Sequence, residues 1–222
     1  MIKLTPIICR TLLPLLLGNA GAFAQVAPAS VAPAKKTIVF LGDSLSAGTG
    51  VKPQEAFPAV VEQKIRERGL PFEVVNAGLG GDTTAGGLRR IDWLLQREID
   101  VLVLELGGND GLRGLPVANM KANLQAMIDK ARAKNPQVKI VIAGMRMPSN
   151  LGAPYAEEFR QAFFDVANAN KASMIPFLLE GVGGARDLNQ PDQIHPNPRG
   201  HQIVADVVWK TLEPLLLEGA HA

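Results

Sequence analysis

Thr37-Ile38-Val39-Phe40-Leu41-Gly42-Asp43-Ser44-Leu45-Ser46 is the stretch from which the fold can be read. A run of apolar and β-branched residues stops abruptly at Gly-Asp-Ser. Such a run, closed by turn residues, reads as a buried strand ending in a sharp turn. Ser44 then stands at the carboxyl end of a strand, the edge at which open α/β sheets bind ligands. It is a candidate nucleophile. Taken by itself it is equally a polar turn residue, and the remainder of the chain has to decide.

Moving outward, the strand signature returns at 72–76, 101–106, 138–143 and 173–176. The near-continuous apolar character of 101–106 suits a sheet covered on both faces. Amphipathic stretches alternate with these runs. Phe57, Val60, Val61 and Ile65 mark one helical stripe, and Leu88, Ile91 and Leu95 a second, with Asp82 as its expected N-cap. Further helices are predicted over 117–134 and 155–171. Asn197 can cap a last helix with Pro198 at its first position. Val204, Val207, Val208, Thr211, Leu212 and Leu215 form its buried stripe. Strand–helix alternation repeated five times predicts an α/β domain of three layers, α/β/α, with a five-stranded parallel sheet and right-handed crossovers.

The chain has 222 residues, of which 47% are apolar and 20% charged, enough for one sizeable globular core. No uninterrupted run of about 18 apolar residues occurs, so no transmembrane helix is expected. Residues 1–24 read as a secretory signal. Lys3 and Arg10 are basic, 12–17 is apolar except for Pro14, and Ala22-Phe23-Ala24 fits a small-x-small cleavage site. The expected destination is the periplasm or the exterior. Residues 25–36 are an Ala/Pro-rich linker. The domain is expected over 37–217, with a tail at 218–222. Cys9 is the single cysteine and leaves with the signal. Loss of Lys3 and Arg10 takes the basic count from 23 to 21, equal to the 21 acids. With no net positive charge, nothing favours nucleic acid as a partner. No residue pattern specifies an oligomeric state.

Three further polar clusters follow strands or precede the last helix. The first, 76–83, is glycine-rich, so backbone amides such as that of Gly81 can approach a ligand. It lacks the third glycine of a dinucleotide fingerprint, and no Gly-Lys pair follows Gly42 as a phosphate loop requires. The second is Gly107-Gly108-Asn109-Asp110, in which Asn109 offers a side-chain N–H. The third is Asp192-Gln193-Ile194-His195-Pro196-Asn197. Asp192 and His195 can meet across one turn, the carboxylate orienting the imidazole. Of the three histidines, His221 is in the tail and His201 falls in the last helix, where a packing role is expected. Together these residues supply the parts of an acyl-transfer site. Ser44 is the nucleophile, His195 the base and Asp192 its orienter. The amides of Ser44 and Gly81, with the Asn109 side chain, can hold an oxyanion. This chemistry needs no cofactor, and no metal-ligand spacing accompanies it.

Ser44, Gly81, Asn109 and His195, in that order, resemble the four blocks of the SGNH or GDSL hydrolases. The resemblance covers the domain. It is closer still to the periplasmic thioesterase I/lysophospholipase/arylesterase group, in 41–48, 81–83, 105–114 and 194–197. It implies a flavodoxin-like sheet and a shallow site open to several small-molecule esters: aryl esters, short to medium acyl esters, acyl thioesters and lysophospholipids. It also implies that the loop after the fourth strand, with 112–116, flanks the acyl chain, so that Leu112, Leu115 and Leu151 line an apolar groove. Two positions depart from the pattern. Gln193 replaces a frequent glycine and is expected to point away from the chemistry, and Thr49 replaces a frequent tyrosine. A carbohydrate O-deacetylase of the same fold is the alternative enzyme. A non-catalytic lipid- or carbohydrate-binding module is the alternative outside enzymes.

Overall fold

In the computed structural model, which describes residue 1 and residues 35–148 and 151–220, the opening apolar run forms strand β1, Lys36–Gly42. The chain divides into Met1–Ala32 and Pro33–Ala222, and the second unit carries every element below. Residues 2–24 of the expected signal, nearly all of the linker, and residues 221–222 of the tail lie outside the described residues.

After β1 come α1 (Ser44–Ala47), α2 (Phe57–Glu67), β2 (Phe72–Gly78), α3 (Thr84–Leu94) and β3 (Val101–Glu105). They are followed by α4 (Gly108–Leu112), α5 (Val117–Lys134), β4 (Lys139–Ala143), α6 (Ala153–Asn170), β5 (Ser173–Ile175) and α7 (Pro198–Ala220). The five strands and five long helices are those that hydrophobic period predicts. The short helices α1 and α4 were not predicted, because one turn is too short to show a period. The last helix also runs on through residues 218–220, the start of the expected tail.

All strand pairs are parallel, in the order β2-β1-β3-β4-β5. This flavodoxin-like order has a direct consequence for the site. Right-handed crossovers send α2 over one face on the way from β1 to β2. The later crossovers run in the opposite direction, so α3, α5 and α6 cover the other face. Accordingly α2 packs with α7, and α3, α5 and α6 pack in a row. Chain direction reverses between β1 and β3, which opens a crevice beyond their carboxyl ends. Ser44 follows β1 and Asn109 follows β3.

The core is the sheet and the helix faces against it. Ile38, Val39, Phe40 and Leu41 are wholly buried, and Phe40 meets Phe57 of α2 edge-on at 5.6 Å. Val204, Val208 and Leu212 of α7 are buried, with Val207 and Leu215 packed against them. One cap differs from expectation. Thr83, not Asp82, caps α3, its Oγ1 accepting from Gly86 N at 3.3 Å. The Asp82 carboxylate instead meets Arg90 Nε at 2.7 Å, since a guanidinium offers it a stronger partner than a helix amide. Asn197 does cap α7, accepting from Gly200 N at 3.1 Å.

Candidate active site

The turn holding Ser44 is built on a buried acid. Asp43 caps α1, its Oδ1 accepting from Leu45 N at 2.9 Å. Beneath it, Glu105 at the end of β3 stands in register with Gly42. Glu105 Oε2 accepts from Ser46 Oγ at 2.7 Å and from the amides of Asp43 and Ser46 at 3.2 Å each. Gly42 makes this possible: a Cβ there would lie 2.5 Å from Glu105 Oε2 and 2.1 Å from Ser46 Oγ. Glu105 is 1% exposed and Asp43 2%. Burial pushes the Glu105 carboxyl well above the usual range, and the charge of Asp43 adds to the shift. Burial likewise pushes Asp43 up to about 6, against the amide of Leu45 and the side chain of Asn109. Sequence reading passed over Glu105. Its one signal is an acid inside an otherwise apolar strand.

The loops after β2 and β3 supply the donors. Gly81 adopts a left-handed φ of 75°, which favours glycine, and its carbonyl accepts from Arg113 Nη2 at 2.9 Å. Asn109, in the first turn of α4, donates from Nδ2 to Asp43 Oδ2 and to the Asp82 carbonyl, each at 3.0 Å. Arg90 ties the framework together. Its Nε meets Asp82, Nη1 donates to Ala77 O at 2.7 Å, and Nη2 donates to Gly42 O at 2.9 Å. One guanidinium thus joins the ends of β1 and β2 to the loop carrying Gly81. Arg90 was likewise not singled out from sequence, because two of its three partners are backbone carbonyls that leave no residue-type signal.

The third cluster comes in from the loop before α7. His195 Nε2 lies 2.9 Å from Ser44 Oγ, and His195 Nδ1 lies 2.7 Å from Asp192 Oδ2. Asp192 Oδ1 also accepts from the amides of His195 at 3.0 Å and Ile194 at 2.9 Å. Those hydrogen bonds, the His195 amide first, hold the Asp192 carboxyl down at about 2. An ionised Asp192 can only accept, so the Nδ1 proton is its partner and Nε2 faces Ser44 with a lone pair. The loop is fastened at its base. Gln190 N donates to His195 O at 2.8 Å, and Gln190 Nε2 reaches Thr49 O at 2.6 Å, next to the turn that holds Ser44. Gln193 has a left-handed φ of 59°, which explains why glycine suits this position. It borders the same cavity as Ser44, while its Nε2 donates back to Gln190 O at 2.9 Å.

The structure brings Ser44, Gly81, Asn109 and His195 onto one cavity of about 480 Å³. Its apolar wall is made by Leu112, Met145, Met147, Pro148, Leu179 and Ile194. Of the three leucines expected to line a groove, Leu112 does. Leu115 does not: Gly114 turns the chain at a φ of 61°, and Leu115 borders a separate depression with Asn119 and Asn123. Its carbonyl accepts from Tyr155 Oη at 2.9 Å, which keeps it on the side of α6. Leu151 is 38% exposed and is not among the cavity residues, since the chain there has already turned toward α6. His201, the other histidine of the domain, is buried in α7, where Phe57 N donates to its Nδ1 at 3.2 Å.

A hydroxyl facing an imidazole, itself held by a carboxylate, on a cavity that Gly81 and Asn109 also line is an arrangement for nucleophilic attack on a carbonyl. Comparison with known proteins agrees with that chemistry. The model of the GDSL-like lipase/acylhydrolase family matches residues 40–203. The chain is 41% identical to esterase TesA of Pseudomonas aeruginosa over 184 residues, 82% of this chain and 90% of that protein. It is 35% identical to thioesterase 1/protease 1/lysophospholipase L1 of Escherichia coli K12 over 186 residues, 83% of this chain and 87% of that one. Among solved structures, the psychrotrophic esterase EstA of Pseudoalteromonas, inhibited by monoethylphosphonate, superposes with a TM-score of 0.77 at 32% identity, covering 82% of this chain and 99% of EstA. Fold, site and sequence converge: the chain belongs to the GDSL-like lipase/acylhydrolase family and is a serine ester hydrolase of that family.

Proposed function

We propose that Ser44, His195 and Asp192 are the catalytic triad of this hydrolase and that it acts on acyl esters and thioesters. The observation that carries the proposal is the unbroken chain from Ser44 Oγ through His195 to Asp192, at 2.9 and 2.7 Å. Ser44 Oγ attacks the carbonyl carbon while His195 Nε2 takes its proton. Asp192 stabilises the imidazolium that forms. The tetrahedral oxyanion accepts from the amides of Ser44 and Gly81 and from Asn109 Nδ2. In the resting site both Asn109 N–H groups are engaged, by Asp43 and by the Asp82 carbonyl. Binding the oxyanion therefore requires one of them to be shared or re-aimed. Collapse expels the alcohol or thiol, protonated by His195, and leaves an acyl-enzyme on Ser44. Water, deprotonated by His195, then attacks the acyl carbonyl and frees the acid and Ser44.

The apolar wall formed by Leu112, Met145, Met147 and Ile194 supports an acyl chain over an acetylated sugar. Each methylene that enters it contributes up to about 0.8 kcal/mol. The names of the relatives, esterase and thioesterase 1/lysophospholipase L1, support the same substrate range. Nitrophenyl esters from acetyl to palmitoyl test this: kcat/KM rises with chain length and levels where the cavity ends. A preference for acetyl throughout would transfer the proposal to the deacetylase reading. We propose further that residues 1–24 direct export. The basic, apolar and Ala-Phe-Ala segments support this, and among the described residues no helix is long and apolar enough to cross a membrane. Protein from the cell envelope then begins at Gln25, and an intact Met1 there would refute it.

A further inference from the structure

Arg146 is the one Lys or Arg among the residues lining the Ser44 cavity. It follows β4 in the sequence Met145-Arg146-Met147, and the flanking methionines face α4. A Cβ on Gly108 would lie 3.8 Å from Met145 Cε, and one on Gly111 2.4 Å from Met147 Sδ. Arg146 instead meets Phe177 beyond β5, its Cζ 4.7 Å from the ring centroid. A cation–π contact uses the charge of the guanidinium and leaves its N–H groups without a hydrogen-bond acceptor. Among the described residues no carboxylate or other acceptor engages them. The neighbouring arginines differ: Arg90 is held by Asp82 and two carbonyls, and Arg113 by the Gly81 carbonyl. Arg146 is thus an exposed cation on an otherwise apolar stretch of the cavity wall, and on its other side it borders a depression with Glu157 and Arg160, which pair with each other. A planar guanidinium fork matches phosphate oxygens in pairs.

We propose that Arg146 is an anion subsite that takes a phosphate group carried by the alcohol or thiol half of the substrate. The inference rests on the ester and thioester reading above. The acyl half of such substrates is an uncharged chain, so the cation can match charge only in the departing half. Arg146 is thus a specificity residue that separates phosphate-bearing esters from neutral ones of the same acyl length.

The test compares ratios of kcat/KM, so that a general loss of activity cancels. One ratio is octanoyl-coenzyme A over S-octanoyl-N-acetylcysteamine. The other is 1-octanoyl lysophosphatidylcholine over 1-octanoylglycerol. Arg146→Gln lowers a ratio about tenfold, the scale of one charge-assisted contact, and Arg146→Lys recovers part of it. A fall in the first ratio alone identifies the coenzyme phosphates as the anion recognised, and a fall in the second alone the lipid headgroup. Ratios that do not move in Arg146→Gln overturn the subsite. Binding gives a readout independent of turnover. Coenzyme A titrated calorimetrically into Ser44→Ala protein shows a Kd about tenfold weaker when Arg146→Gln is added. Equal Kd values exclude the coenzyme phosphates as the anion recognised and, together with an unmoved lysophosphatidylcholine ratio, overturn the subsite. If the wild type hydrolyses none of the four substrates but the binding difference is found, the ester reading falls and the subsite stands.

Discussion

The two halves of the site are held by opposite means. On the serine side, Asp43 and Glu105 are almost wholly buried, and burial drives both carboxyls upward. Glu105, at the end of β3, accepts from Asp43 and Ser46, 59 to 62 residues away in the turn that follows β1. On the histidine side, the Asp192 side chain is 44% exposed and that of His195 18%. Asp192 is held down at about 2 by amides two and three residues away. One half is positioned by the sheet, the other by a local turn that Gln190 ties to Thr49, just beyond α1. The difference teaches where fragility lies. A buried acid that loses its place strands several donors at once, whereas an exposed one loses only the group it orients.

The largest effect comes from breaking the link between the halves. Ser44→Ala and His195→Ala each lower kcat/KM by on the order of 10⁶-fold, because the pair acts as a unit. Both proteins stay folded, and Ser44→Ala loses labelling by a fluorophosphonate. Labelling retained at another serine would overturn the assignment. Asp192→Ala is milder, a loss of about 10⁴-fold, since it orients and does not itself transfer the proton. A urea melt should find its stability close to wild type, as expected for an exposed turn.

Glu105→Ala reverses that pattern. It leaves the amides of Asp43 and Ser46 and the Ser46 hydroxyl without an acceptor, a destabilisation on the order of 3 kcal/mol. Glu105→Gln costs less, because an amide oxygen still accepts. If Glu105→Ala melts at the wild-type urea concentration, the serine turn does not depend on the buried acid and the contrast between the halves collapses.

The smallest effect concerns the second histidine. Burial pushes His201 down to about 4, below its usual 6.5. The unfolded chain therefore binds the proton first, and the stabilising contribution is present above about 6.5 and is lost as pH falls toward 4. Between pH 7 and pH 5 this removes about 2 kcal/mol. His201→Gln flattens that slope. An equal slope in wild type and variant would show that other groups set the acid sensitivity.

How much of this was legible beforehand follows from the range of the interactions involved. Strand runs, helix stripes, the Gly-Asp-Ser turn and the Asp192–His195 spacing are periodic or local, so residue order alone carries them. So did the layered parallel architecture, since alternation leaves few topologies open. Only the folded chain decided which residues meet across the sheet. Glu105 sits under Ser44 because β3 pairs with β1 in a register that aligns it with Gly42. Arg90 reaches Gly42 and Ala77, and Arg146 reaches Phe177, through contacts between elements far apart in sequence. Leu115 was misplaced because a single left-handed glycine, Gly114, redirects the chain. Sequence thus determined the elements and pointed to the groups we propose to react, because those signals are short-range. Tertiary structure decided their support and the cavity wall, because those depend on strand register and loop direction, which no local pattern encodes.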